Sequence, residues 1–151
     1  YVVWNYQRNI WYFGTLSRTC GVVSGVFQYP IAIDADGGIW EHENGWNWSG
    51  ATPYAQSGPF EWPGPMGGSD KRTLVRGFVG DEAVQGQSQV TFYGREWPNA
   101  DATTFGPYTI TTAPVDVLFS TRNLEIRIDV TTAADARVGI YQMDVVPVGK
   151  R

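Results

Sequence analysis

The stretch Leu124-Glu125-Ile126-Arg127-Ile128-Asp129-Val130 decides the fold. Apolar and charged residues alternate through it without a break, and in an extended chain successive side chains leave opposite faces. Leu124, Ile126, Ile128 and Val130 are therefore expected in a core, and Glu125, Arg127, Asp129 and the following Thr131 in water.

Outward from this strand, runs of β-branched and aromatic residues recur at 73–79, 89–93, 108–112, 115–119 and 138–146. Turn residues separate them at the intervals of a β-sandwich. Thr132-Ala133-Ala134-Asp135 reads as a loop between the last two strands. Upstream, Trp62-Pro63-Gly64-Pro65-Met66-Gly67-Gly68-Ser69 has little to pack and cannot sustain a ladder, which places a boundary or long connection there.

Before that boundary the pattern is aromatic. Tyr1-Val2-Val3-Trp4-Asn5-Tyr6 and Ile10-Trp11-Tyr12-Phe13 flank Gln7-Arg8-Asn9, with Gly14 ending the second arm. Ile31-Ala32-Ile33 and Ile39-Trp40-Glu41-His42 flank Asp34-Ala35-Asp36-Gly37-Gly38, whose glycines can supply the positive φ of a reversal. Two aromatic hairpins in succession suggest propeller blades. With 18 Gly and 9 Pro spread throughout, no window of a dozen residues keeps a helical apolar stripe. The expectation is an all-β chain: a partial β-propeller-like aromatic meander over 1–64, a linker over 65–72 and a β-sandwich over 73–151.

Composition bounds the function. Hydrophobic residues at 42% and charged residues at 17% are globular usage, so a folded core is expected. A net charge of −4 lacks the basic footprint of tight nucleic-acid binding. Cys20 is the single cysteine, which excludes an intrachain disulfide and a cysteine-based zinc site. No apolar run approaches the roughly 20 residues of a membrane-spanning helix, so no membrane insertion is expected. The chain opens at Tyr1, inside a predicted strand and without an initiator Met, and is expected to be a piece of a longer polypeptide.

Catalytic chemistry finds little foothold. His42 lies between Glu41 and Glu43, but on a strand the two carboxylates share a face and the imidazole points the other way. A metal ligand or general base competes there with an ordinary strand residue near a turn. Asp34, Asp36 and Glu41 resemble an oxygen-rich calcium loop with incomplete spacing, whereas Asp before Gly is the default chemistry of a hairpin turn. No pair of acids is singled out for glycoside hydrolysis, and a hydrolase domain using Glu41, Glu43 or Asp144 is a third reading in which no acid is marked by its neighbours. Gly-x-Ser-x-Gly, Gly-rich phosphate loops and His-Glu-x-x-His are missing. Neither catalytic residues nor a cofactor or metal is expected, and the chain is read as a non-enzyme.

Seven tryptophans offer a sharper alternative: Trp4, Trp11, Trp40, Trp46, Trp48, Trp62 and Trp97. Trp46-Asn47-Trp48 places both indoles on one face if extended, as in a carbohydrate-binding module; the competing assignment is packing between blades or subunits. Trp46, Trp48 and Trp62 are the candidates for interface or inter-blade packing. Arg72, Arg76, Arg95 and Arg122 are scattered, which fits a solvated face or interface salt bridges.

Several segments in order resemble the tail nozzle proteins of short-tailed bacteriophages, also described as packaged-DNA stabilisation or tail tubular proteins. They are Tyr1 to Tyr6, Asn9-Ile10-Trp11-Tyr12-Phe13-Gly14-Thr15-Leu16-Ser17-Arg18-Thr19, Pro30-Ile31-Ala32 and Asp36-Gly37-Gly38-Ile39-Trp40-Glu41-His42-Glu43. Gly106-Pro107-Tyr108, Thr121-Arg122-Asn123, Asp144-Val145-Val146-Pro147 and Gly149-Lys150-Arg151 follow. One position departs: Ala136-Arg137-Val138-Gly139 stands where the family pattern shows Trp-Arg-x-Gly. The resemblance implies the C-terminal portion of a longer virion protein, located in the phage tail. It implies a homo-oligomeric ring, expected to be a hexamer, bound to adjacent tail or adaptor proteins, with double-stranded DNA passing transiently and non-specifically. The ring would close or line the DNA exit channel and retain packaged DNA until ejection. An acidic channel suits that task, because a duplex slides past it without adhering.

Overall fold

The computed structural model describes residues 1–45, 52–62, 71–82, 87–132 and 138–150. The chain is all-β, built from antiparallel sheets, with no helix among the described residues and no sheet closed into a barrel. It divides into two compact units, Tyr1–Gly45 and Trp46–Arg151.

In the first unit, β1 (Val2–Asn5) and β2 (Ile10–Phe13) form the predicted aromatic hairpin, with Trp4 opposite Trp11 and Val2 opposite Phe13. A three-stranded sheet follows: β3 (Cys20–Val22), β4 (Ile31–Ile33) and β5 (Ile39–Glu41), in that order. The β4–β5 turn is the predicted one, and Gly37 takes φ +83° within it. β3 gave no signal in the sequence, being three residues long with a glycine at its centre. These sheets hold two and three strands, fewer than the four of a propeller blade.

The second unit is a two-layer sandwich. One sheet runs β10 (Thr103–Thr109), β9 (Ser88–Arg95), β12 (Asn123–Val130), β6 (Tyr54–Gln56), with β7 (Phe60–Glu61) also pairing with β12. The other runs β11 (Val115–Thr121), β8 (Lys71–Glu82), β13 (Val138–Lys150). Between them lie Val75, Phe78, Val90, Phe92, Ile110, Val117, Phe119 and Leu124, all buried. Large rings bridge the layers: Phe92 meets Phe78 at 5.4 Å and Phe119 at 5.3 Å between centroids.

Three sequence expectations are corrected here. Glu125 does not face water: it is 7% exposed, on a strand flanked by β9 on one side and by β6 and β7 on the other, with the Arg95 and Gln56 side chains against its carboxylate. Arg127 and Asp129 beside it are half-buried. The strand expected over 108–112 runs instead over Thr103–Thr109, carried across Gly106-Pro107 by a register shift between Phe105 and Tyr108. Gly106 permits this, with φ +110° and no Cβ to strike the Val90 carbonyl oxygen, which would lie 2.9 Å from it. Residues 54–62, grouped by sequence with the aromatic meander, pair with β12 of the sandwich, and β8 starts at Lys71 within the expected linker. Most of the 132–135 loop lies outside the described residues.

Candidate assembly interface

The two units differ in what they bury. The sandwich has a closed core, whereas none of residues 1–45 is buried. Alternation along β1 and β2 puts Val2, Trp4, Trp11 and Phe13 on one face of the hairpin and Val3, Asn5, Ile10 and Tyr12 on the other. Both faces are apolar, and both are open. Phe13 is 82% exposed, Trp11 63% and Trp4 51%. Tyr1, Tyr6 and Tyr12 beside them are 60%, 72% and 46% exposed, an open aromatic surface of the kind that marks a contact site.

The rings on this hairpin are nonetheless ordered among themselves. Trp4 and Trp11 stack at 5.7 Å with planes 17° apart, and Tyr6 meets Trp4 edge-on at 6.5 Å. The Trp4 indole N–H donates to Asn9 Oδ1 at 3.3 Å. The Asn5 side chain accepts from the Arg8 backbone N–H at 3.1 Å and closes the turn. Preset side chains lose less entropy when a second surface covers them.

At the β4–β5 turn, the aspartate and histidine singled out by sequence take structural parts. Asp34 Oδ1 accepts from the backbone N–H groups of Gly38 (2.7 Å) and Asp36 (3.0 Å), and Oδ2 accepts from the Trp40 indole N–H at 2.7 Å. These donors, the indole first and the Gly38 amide next, hold the Asp34 carboxyl below the usual carboxylate range. The Arg18 guanidinium lies over the Trp40 ring at 4.5 Å, and its Nε donates to His42 Nε2 at 3.2 Å. His42 sits just past β5 and accepts from a cation, a poor setting for a metal ligand. Glu41 accepts from the Asn44 amide at 2.7 Å. Among the described residues, no group of three or more His, Cys, Asp or Glu is placed to hold a metal ion.

Of the three predicted packing tryptophans, Trp46 and Trp48 lie outside the described residues. Trp62 packs half-buried against the sandwich core, edge-on to Phe60 at 5.6 Å. The hairpin pair Trp4 and Trp11 was missed as a candidate interface, although its signal was present: a two-stranded ribbon apolar at almost every position has no solvent face.

The arginines described in the sandwich are all ion-paired. Arg72 pairs with Glu96 (2.6 Å), Arg76 with Asp144 (2.9 Å), Arg95 with Glu125 (3.1 Å), Arg122 with Glu96 (3.6 Å) and Arg127 with Asp129 (2.7 Å). Asp144, a candidate acid in the sequence, is therefore the partner of Arg76 on an open sheet face. Compared with family models, curated proteins and solved structures, the chain matches none.

Proposed function

We propose that the chain is an assembly module of a virion, the C-terminal portion of a ring-forming phage tail nozzle protein that closes or lines the DNA exit channel. One observation carries this reading: a 45-residue aromatic unit in which no residue is buried. A unit of that size without a core is not stable unaided. Its exposed tryptophan, tyrosine and phenylalanine rings are the residue types enriched where protein interfaces are buried. The two faces of the hairpin carry different residues, so a contact made through both is heterologous and generates a ring when it closes. The order of motifs along the chain supports the nozzle family in particular, and the internally paired arginines suit a conduit to which DNA does not adhere.

The rival function, a carbohydrate-binding module with exposed indoles, fits the hairpin less well. A sugar platform needs one aromatic face backed by a core, and this ribbon is open and apolar on both sides. Alanine at both Trp4 and Trp11 tests the proposal: sedimentation velocity is expected to show the oligomer replaced by monomer while the sandwich keeps its fold. An unchanged oligomer would refute the role given to the hairpin.

A further inference from the structure

A second surface lies within the sandwich and owes nothing to the hairpin. Where β8 begins, β9 ends, β10 begins and β11 ends, the structure encloses a cleft of about 270 Å³. Register brings its walls together: Thr103 lies opposite Gly94 on the β9–β10 ladder, and Thr121 opposite Thr73 on the β8–β11 ladder. Arg72, Glu96, Asp101, Thr103, Phe105 and Ser120 line it. Pockets for drug-sized ligands begin at about 300 Å³, so the cleft suits one small ring.

Phe105 and Thr121 close over Gly94 on one wall of the cleft: a Cβ there would lie 3.0 Å from both Phe105 Cε2 and Thr121 Oγ1, so an alanine would have to push these side chains out of place. Phe105 is stacked on Phe119 at 4.2 Å with planes 11° apart, so the ring that borders the cleft is backed by the core and held rigid. The polar wall is equally fixed. Glu96 is held by Arg72 at 2.6 Å and by Arg122 at 3.6 Å. Arg72 also donates to the Ser120 carbonyl (3.1 Å) and to Ser120 Oγ (3.2 Å), which leaves the Ser120 hydroxyl proton to point elsewhere.

We propose that this cleft binds a single neutral pyranose unit of a glycan. An aromatic surface matches the C–H face of a sugar ring, while carboxylates and hydroxyls converge on the ring's hydroxyl groups. Glu96 and Asp101 accept, Ser120 donates, and Thr103 does either. The formal charges of Arg72, Arg122, Glu96 and Asp101 cancel, so the site offers no net attraction for an anion such as a uronic acid or a phosphate. Preset donors and acceptors around a rigid ring are the general requirement of such a site. This inference is independent of the ring-assembly proposal, since every residue in it belongs to the sandwich.

The test is a two-dimensional amide NMR titration of the chain with methyl α-D-glucopyranoside, methyl β-D-galactopyranoside and methyl α-D-mannopyranoside. At least one is expected to give saturable shifts at Gly94, Glu96, Thr103 and Phe105, with a Kd on the order of millimolar. Asp101→Asn, an exposed and conservative change, is expected to weaken binding tenfold or more with the rest of the spectrum unchanged. Gly94→Ala is expected to abolish it. Methyl β-D-glucuronide is expected to bind no better than the neutral glycosides. No saturable shift with any glycoside, shifts centred on Trp4 and Trp11, or binding indifferent to Asp101→Asn would overturn the proposal.

Discussion

Phe78 of β8 and Phe92 of β9 meet edge to face across the gap between the two sheets, with centroids 5.4 Å apart and planes at 71°. Both rings are 1% exposed. Phe92 also meets Phe119 and Tyr108, so it sits at the centre of the ring cluster that joins the layers, and removing it opens a cavity among several packed rings. Phe92→Ala is expected to destabilise the sandwich by about 3–5 kcal/mol, read as a lower urea midpoint. A loss under 1 kcal/mol would mean that the layers do not meet through this pair.

Glu125 is the buried charge of the outer sheet face. It accepts from Arg95 Nη2 at 3.1 Å and from the Gln56 amide, which ties β6 and β9 to β12 from either side. Glu125→Ala leaves both donors without their acceptor, and a loss of about 1–3 kcal/mol is expected. The same substitution at Asp144, whose ion pair with Arg76 is more than half exposed on both sides, is expected to cost under 1 kcal/mol. Equal costs at the two positions would contradict the burial assigned to Glu125.

The Asp34 turn lock is acid-sensitive, and its sign follows from the direction of the shift. The folded carboxyl titrates below its ordinary value of 3.8, so its contribution is complete above that value and lost as pH falls through the lower folded pKa. The Trp40 indole N–H resonance is expected to hold steady at neutral pH and to move only below about pH 4. Asp34→Asn, which carries no titrating group, is expected to flatten that response. A transition well above pH 4 would contradict the assignment of the response to Asp34.

How much of this was legible in the sequence depended on strand length and neighbours. Leu124 to Val130 declared its period because seven residues alternate, and the aromatic arms of β1 and β2 declared themselves by composition. Tyr54–Gln56 and Phe60–Glu61 are too short to show a period, and their pairing with β12 is a long-range event that no local pattern encodes. Without β6, and the Gln56 side chain it brings against the carboxylate, Glu125 reads as facing water. The cleft was hidden for the same reason: Arg72, Gly94, Asp101 and Ser120 are brought together by two ladders, not by spacing.

DNA contact offers a further check on the conduit. Each of the five arginines described in the sandwich is paired with a carboxylate of the same unit, and the whole chain carries −4. A linear duplex is expected to show no mobility shift with the purified chain at about 0.15 M salt, where non-specific binders still act through unpaired cations. Retention at that salt would mean that a basic face forms on assembly.

The most direct measurement is electron microscopy of the purified chain at micromolar concentration. Closed rings of one subunit number are expected, with the aromatic hairpins at the contacts between neighbours and the rings lost in the double variant Trp4→Ala, Trp11→Ala. A monodisperse monomer with a folded sandwich would contradict the account.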